Sequence, residues 1–475
     1  MTFAAASLVW AAASQSDAPS AQEAGETPAP AQAQPEPAAP VQMTVQQGQD
    51  LALQALQSGR PKLAYDLSKA VLQADPRNGE AHYTQALAFS MVGAHGQARK
   101  SAGLAFRHSD TPVQKYQSAQ LASQSAYQDD LLTLSQLWLR RAVQHAPSDE
   151  VRKDTIRIYQ TVRRRNPLKF NLNFSVRPSD NVNNGSNSPF NIIEGSPTLG
   201  FLSPSAQAIE GQIAVFDLNF SYRVSETERS ETQLVGRAFT RQVRFNDSVP
   251  GISESDLATS RLEGGVRHVR TSENRERQWH FGLLGGRVWF GGDPFYDYAR
   301  FEVDRHQLLT PNLRFSIGAS VERQQAEART TSDGTQYQIY TQLRYAFSGG
   351  STIGAFFSFR DLETDGINRA NEQITGVLRY TLGQPVGPAT LSLSVGASQV
   401  DYGTYIINLG PFGILDVPGG RTDDAIFAGV TAAFDEWSYM GFVPTVSLNT
   451  SKTESNISRF DVEETSLTFG IRSEF

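Results

Sequence analysis

The sequence predicts a multidomain chain in which N-terminal α-helical repeats are followed by a C-terminal transmembrane antiparallel β-barrel of about 14 strands. Three observations predict this fold class. Apolar and small residues recur at helical spacing over residues 45–165 and repeat with a fixed period. The C-terminal half consists of short runs in which apolar and polar residues alternate. The connections between those runs are alternately long and short, as in barrels that cross an outer membrane.

Composition allows a barrel and argues against a bundle of membrane helices. The 475 residues are 39% hydrophobic, and the mean hydropathy is −0.37. A barrel stays this polar because only alternate residues face lipid. The net charge of −7 argues against a nucleic-acid partner. The chain has no cysteine, which excludes disulfides, thiolate metal sites and a lipid-modified cysteine of its own.

Residues 1–42 are predicted to form a signal-like segment and a tether. The first residues, MTFAAASLVWAAASQSDA, have the apolar and small-residue character of a secretory signal cleaved after Ala13 or a few residues later. The basic region that normally starts such a signal is missing, so an alanine-rich tail is the alternative. Residues 14–42 are rich in Ala, Pro, Gln and Ser, which indicates a disordered tether.

Residues 43–166 are predicted to form a helical repeat domain. Gly59 and Gly93 are 34 positions apart, and so are Ala64 and Ala98. Three successive segments each end in a proline, and the third copy is degenerate, with Leu132 where alanine is expected. A helix-turn-helix period of 34 residues resembles the tetratricopeptide repeat.

Stacked helical hairpins form concave surfaces that bind extended peptides or partner helices. Tyr83 and Met91, on the first helix of the second repeat, are candidates for a groove that binds a client protein. Ordinary core packing is the alternative role for both residues.

Residues 167–475 are predicted to form the barrel. In the first strand, LKFNLNFSV, every second residue is apolar, and the last segment, TSLTFGIRSEF, repeats this pattern. A soluble sandwich of two sheets is the alternative. The polar residues of three strands are predicted to face the lumen: Lys169, Asn171, Asn173, Asp217, Asn219 and Arg472.

An even number of strands places both ends of the barrel on one side of the membrane. With tight turns in the periplasm and long loops outside the cell, the helical domain is expected in the periplasm of a Gram-negative bacterium. Aromatic residues near the strand ends are expected to form interfacial girdles, among them Trp279, Trp289, Tyr380 and Trp437.

The C-terminal residues look like the signal by which the barrel-assembly machinery of Gram-negative outer membranes recognises its clients. Leu467, Phe469 and Ile471 alternate with polar residues, and the chain ends on the aromatic Phe475. This interpretation predicts the barrel-assembly machinery and outer-membrane lipid as partners.

The sequence contains no motif for catalysis or for a cofactor, so we predict that the protein is not an enzyme and holds no metal. His268, His280 and His306 lie on separate predicted strands, where a lumen-facing or hydrogen-bonded role is expected. The polar loop 178–189 offers oxygen atoms that could bind calcium, but turn chemistry explains it equally well.

A short tetratricopeptide-like module before a barrel of about 14 strands resembles the surface lipoprotein assembly modulator (Slam) family. The junction LKFNLNFSVRPSDNVNN is similar to the Asp/Asn-rich start of that family's barrel. The resemblance implies a translocator that moves specific lipoproteins or secreted proteins across the outer membrane, without an enzymatic step. A polysaccharide exporter and a diffusion porin are the alternatives.

Overall fold

The computed structural model describes residues 43–193, 199–328, 332–408 and 413–473. The predicted signal-like segment and tether, and Phe475 of the predicted assembly signal, lie outside these residues.

Seven α-helices are described, and they come first in the chain. Consecutive helices pack against each other, which is the arrangement expected of stacked helical hairpins. Among the residues described, no helix is long and apolar enough to cross a membrane. The helices are α1 (Val45–Gln57), α2 (Pro61–Ala74), α3 (Gly79–Met91), α4 (His95–His108), α5 (Pro112–Gln128), α6 (Leu132–Gln144) and α7 (Asp149–Arg165).

The repeat is visible in the turns between paired helices. Gly59 and Gly93 adopt φ values of +69° and +74°, a conformation that favours glycine, and the equivalent third turn places Asp130 at φ +54°. Five residues after each of the last two turns lies a fully buried small residue, Ala98 and then Ser135. Ser135, not Leu132, therefore holds the alanine position of the third repeat, because α5 is four residues longer than α3.

Eighteen strands are described, of which fourteen form one closed antiparallel barrel. The remaining four form two small hairpins, β2 with β3 and β14 with β15, in long connections. Barrel strands that are consecutive in the chain are also neighbours in the barrel, and β18 returns to pair with β1. The first nine strands are β1 (Leu168–Ser179), β2 (Phe190–Ile192), β3 (Leu199–Phe201), β4 (Gly211–Glu226), β5 (Ser230–Phe245), β6 (Thr259–Thr271), β7 (Arg277–Phe290), β8 (Asp293–Thr310) and β9 (Leu313–Ala326). The others are β10 (Gly334–Ala346), β11 (Thr352–Thr364), β12 (Asn371–Thr381), β13 (Thr390–Tyr402), β14 (Ile406–Asn408), β15 (Ile414–Asp416), β16 (Arg421–Ala433), β17 (Phe442–Ser455) and β18 (Val462–Ser473).

The two faces of the barrel differ in chemistry. One parity of each strand carries large exposed apolar side chains, such as Leu283 on β7 and Phe301 on β8. The opposite parity carries charged side chains that pair with one another across strands. The closed sheet therefore presents an apolar surface to lipid and a polar surface to its interior, as a transmembrane barrel requires.

Several connections are shorter than the sequence suggested, because the strands continue past the apolar band. The predicted connection 450–463 is reduced to residues 456–461, since β17 extends to Ser455 and β18 begins at Val462. The added segment 450–455 (TSKTES) is polar on both faces, so hydrophobic alternation did not reveal it.

The helical domain contacts the barrel rim at the β16–β17 connection. Arg140 of α6 donates a hydrogen bond to the carbonyl oxygen of Met440 (3.3 Å), and the Met440 amide donates to Gln144 Oε1 (3.2 Å). Arg223 at the end of β4 donates to the carbonyl oxygens of Arg164 and Arg165, at 3.2 and 2.7 Å. These contacts hold the last helices directly beside the start of β1.

Candidate functional site

The residues predicted to line the lumen lie on one face of three adjacent strands. Asn173 pairs with Asp217 on β4 and with Arg472 on β18, and Asn171 pairs with Asn219. Directly opposed residues of an antiparallel pair project to the same side of the sheet. Lys169 shares the same parity on β1 and lies beside Asn171 and Asn219 in a surface depression. A role for these six residues in transport stays a prediction.

Asp217 takes part in a bidentate ion pair that the sequence did not indicate. Arg237 on β5 donates from Nε and Nη2 to the two oxygens of Asp217, each at 2.9 Å. Asn219 donates to the same carboxylate at 3.1 Å. This part of the interior wall therefore carries paired rather than free charge.

A larger network surrounds Arg300 on β8. Its guanidinium lies 2.6 Å from Glu263 on β6, 3.5 Å from Glu302 on its own strand and 3.2 Å from Glu322 on β9. The side chain of Glu322 is only 3% exposed. Tyr298 also donates to Glu263, at 2.6 Å. Arg267 on β6 also pairs with Glu302, at 2.8 Å. Arg300 is therefore the cation shared by Glu263 and Glu322, whose side chains are largely shielded from water.

Two glycines of β7 make this network possible. Glu263 and Arg300 lie on strands that are not neighbours, and β7 runs between them. A Cβ atom at Gly282 would approach Glu302, and one at Gly286 would approach the ring of Tyr298, both within 3.0 Å. Because these positions have no side chains, residues of β6 and β8 can meet across the intervening strand.

The structure brings together two of the three histidines that the sequence left apart. The rings of His280 on β7 and His306 on β8 lie 4.6 Å apart between centroids. His306 Nδ1 is 2.7 Å from the Ser316 hydroxyl, and His268 Nδ1 is 2.9 Å from the Thr232 hydroxyl. His306 and His268 therefore each lie in a hydrogen-bonded environment, which is one of the two roles expected from the sequence. Among the described residues no group of three or more His, Asp or Glu side chains could hold a metal ion.

The polar loop after β1 uses its side chains for turns. Asn181 is buried, donates to the Gly185 carbonyl oxygen and accepts from the Gly185 amide, both at 2.8 Å. Asn183 donates to the Gln207 carbonyl oxygen (2.7 Å) and accepts from the Ile209 amide (3.0 Å). Since the oxygen of each amide is already used, turn formation accounts for these residues.

Among the described residues, the seam between β1 and β18 has the shortest ladder of the barrel. In the described residues it contains four registered pairs, from Asn173–Arg472 to Val176–Phe469. Every other pair of neighbouring barrel strands has ten to fifteen. Pro178, which has no amide hydrogen, follows the paired segment on β1, and proline in sheets is found at edges.

Side chains join the half of this seam farther from the helical domain, where backbone pairing is missing. Glu464 on β18 accepts from Arg177 Nη1 and from the Ser179 hydroxyl, both at 2.7 Å. Arg177 also donates to the Ser466 hydroxyl at 3.2 Å. A seam held by side chains can separate without exposing a long row of unpaired backbone groups.

The residues proposed for a client groove lie apart from a cavity that α4 and α6 line in the helical domain. Tyr83 packs against the alanine-rich core around Ala86 and Trp138, and burial raises the pKa of its hydroxyl. Met91 is exposed at the end of α3. Neither residue lines the cavity between α4 and α6, and their role in client binding stays a prediction.

The predicted assembly-signal residues Leu467, Phe469 and Ile471 lie on one face of β18, where each is exposed. This position is open to lipid or to another protein. Recognition by an assembly machinery stays a prediction for these residues and for Phe475.

Sequence reasoning missed the Arg300 network, the short seam and the cavity of the helical domain. One signal for the network was available, because Gly282 and Gly286 have the parity opposite to the exposed apolar residues Phe281 and Leu283. The other features depend on which strands meet when the sheet closes and on how α6 meets the rim.

A sequence profile of the family described as surface lipoprotein assembly modifier matches residues 169–469, which is more than half of the chain. No curated protein matches the chain significantly. Three solved structures are similar to parts of the chain, each with low overall similarity. The translocator chaperone SycD of the Yersinia enterocolitica type III secretion system is 14% identical, with TM-score 0.24, covering 26% of this chain and 84% of SycD. The first TPR domain of human RPAP3 is 13% identical, with TM-score 0.23, covering 26% of this chain and 93% of that domain. A loop-deletion mutant of OmpT, an outer-membrane protein of Vibrio cholerae, is 11% identical, with TM-score 0.33. The match covers 65% of this chain and 99% of the OmpT mutant. These TM-scores are too low to support any functional argument.

Proposed function

The chain belongs to the surface lipoprotein assembly modifier family, and from this premise we propose that it is an outer-membrane translocator for specific lipoproteins or secreted proteins. The family match over the barrel is the observation that carries the proposal. The helical domain lies in the periplasm, where it receives the client, and the barrel passes the client to the surface. No catalytic step or cofactor takes part.

The chemistry of a lipoprotein client favours a lateral exit. Its acyl chains are apolar, whereas the interior of the barrel is lined with ion pairs such as Arg237–Asp217. Transfer of acyl chains through this polar interior is unfavourable. If the β1–β18 seam opens, the acyl chains remain in the membrane while the polypeptide crosses beside them. The four-pair ladder and the Glu464 contacts support the seam as the site of opening.

Protease shaving of intact cells tests the proposal. Cells with and without the gene are treated with protease, and the peptides released from the surface and those in the periplasm are identified by mass spectrometry. We expect one or a few proteins to disappear from the surface or medium and to accumulate inside the mutant. If no protein changes place, the translocator proposal is wrong. A loss of surface polysaccharide, or of solute uptake, would then identify the exporter or the porin alternative.

A further inference from the structure

A cavity of about 890 Å³ lies where the helical domain meets the barrel rim. Helices α4 and α6 form most of its wall, and the connection before β17 contributes Tyr439 and Met440. The hydrogen bonds of Met440 with Arg140 and Gln144 hold this connection against α6. The cavity is therefore built from two parts of the chain that are about 300 residues apart in sequence, and it lies next to the end of the barrel.

The wall of this cavity is strongly basic. Among the described residues that line it none is acidic, and none of its lysines and arginines takes part in an ion pair there. The chain as a whole has a net charge of −7, so this concentration of positive charge is local. The five cationic residues are Arg99, Lys100, Arg107, Lys115 and Arg141.

Two arginines are placed to bind a carboxylate. The guanidinium of Arg141 lies over the ring of Trp138, 4.4 Å from its centroid, which fixes the orientation of the group. Arg99 Nε is buried and has no hydrogen-bond partner among the residues described. Arg99 and Arg141 both line the cavity, so a carboxylate that enters it can accept hydrogen bonds from the two guanidinium groups.

The floor of the cavity is aromatic. Phe106 and Trp138 pack edge to face with centroids 5.7 Å apart, and Gly103 leaves room for the indole ring. Beside them lies His145, and burial, with a smaller contribution from the charge of Lys115, lowers the pKa of its imidazole. The cavity thus offers apolar surface beneath a ring of cationic groups.

We infer that this cavity binds an extended acidic segment of the client, with carboxylates on the basic wall and an apolar side chain on the aromatic floor. The inference rests on the proposed function, because it assigns the recognition step of that function to a site. The volume is within the range of about 300 to 1,000 Å³ typical of ligand sites. An extended peptide fits both surfaces at once, because its successive side chains point in opposite directions.

The shape of the site favours a peptide over other anions. A lipid headgroup region is a plane and would meet a flat or convex basic surface, whereas these cations surround a concavity closed on one side by the barrel rim. Nucleic acid is disfavoured by the acidic balance of the whole chain. A peptide leaving the cavity lies beside the barrel end, which is the direction of transfer.

Peptide binding to the purified full-length protein in detergent tests the inference. The probe is a labelled peptide in which glutamate and aspartate alternate with leucine, and the control peptide carries glutamine and asparagine instead. We expect the acidic peptide to bind at least about tenfold more tightly, because hydrogen bonds to charged groups are stronger than those to neutral amides. Its affinity should fall as salt rises. Equal binding of the two peptides would overturn the inference.

Variants locate the binding site. Arg99→Gln with Arg141→Gln should weaken acidic-peptide binding by about tenfold or more. Arg157→Gln is the matched control, because Arg157 lies on α7 outside the cavity and its side chain is 76% exposed. If the first variant fails to fold, Lys100→Gln with Arg107→Gln removes two exposed cations of the wall without altering the stacked Arg141. Binding that neither cavity variant changes contradicts the inference, and so does cavity-dependent binding of phosphatidylglycerol vesicles without peptide binding.

Surface delivery in cells separates this inference from the proposed function. If the cavity variants lose peptide binding and the client also fails to reach the surface, both are supported. If peptide binding is lost and delivery is normal, the cavity is not the recognition site, but the translocator proposal stands. If no protein depends on this chain for its location, the translocator proposal fails even where the peptide binds.

Discussion

A disulfide across the β1–β18 seam should stop client delivery while leaving the barrel intact. The chain has no cysteine, so Ser175→Cys with Gly470→Cys introduces the single pair. These residues are registered partners, and a Cβ atom at Gly470 would lie 3.4 Å from the Cβ of Ser175. That separation is close to the roughly 3.8 Å typical of disulfides. The Thr445 hydroxyl, 3.0 Å from the same Cβ, must shift slightly.

The expected effect follows from the ladder lengths. With about one hydrogen bond per registered pair and a net contribution of about 1 kcal/mol each, separating the four seam pairs costs about 4 kcal/mol. The three side-chain hydrogen bonds that Arg177 and Ser179 donate across the seam add about 2 kcal/mol each, so opening it costs about 10 kcal/mol. Separating the thirteen pairs of β13 and β16 costs about 13 kcal/mol. The difference of about 3 kcal/mol makes opening at the seam about 10²-fold more frequent.

The assay compares client exposure on oxidised and reduced cells. The matched control is Ser394→Cys with Gly429→Cys, an opposed serine–glycine pair within the thirteen-pair ladder. We expect the seam disulfide to remove the client from the surface, reducing agent to restore it, and the control disulfide to have no effect. A locked seam that delivers the client at the normal rate would refute lateral exit.

Three further predictions concern stability and assembly. Arg300→Met should lower the free energy of unfolding by about 3–5 kcal/mol, because it leaves the shielded carboxylates of Glu263 and Glu322 without a cation. Arg237→Met should cost about 1 kcal/mol or less, since it breaks one partly exposed pair, and equal losses in urea titrations would contradict the network. Burial lowers the pKa values of His82 and His145, so their contribution to stability is fully present above pH about 6.5 and is lost as pH falls towards their folded-state values. The helical far-UV signal of the full chain should therefore melt at a lower temperature at pH 5 than at pH 7. Deleting Phe475 should reduce the amount of heat-modifiable barrel in outer-membrane fractions, and unchanged levels would exclude it from the assembly signal.

The sequence predicted local order well, for a physical reason. Alternation along a strand and the spacing along a helix are properties of neighbouring residues, so each periodic run indicates its own conformation. The run LKFNLNFSV predicted the first barrel strand, and the glycine period predicted the helical turns. The third repeat was misaligned at Leu132 because extra residues in α5 change no local pattern.

The sequence by itself determined the two fold types, their order and the polar parity of the strands. Only the tertiary structure decided which of these residues meet. Arg300 reaches Glu263 because β7 carries glycines between them, and the seam is short because of where β18 meets β1. The basic cavity forms where α6 contacts the connection at Met440. Such contacts depend on register and on closure of the sheet, which no local pattern encodes.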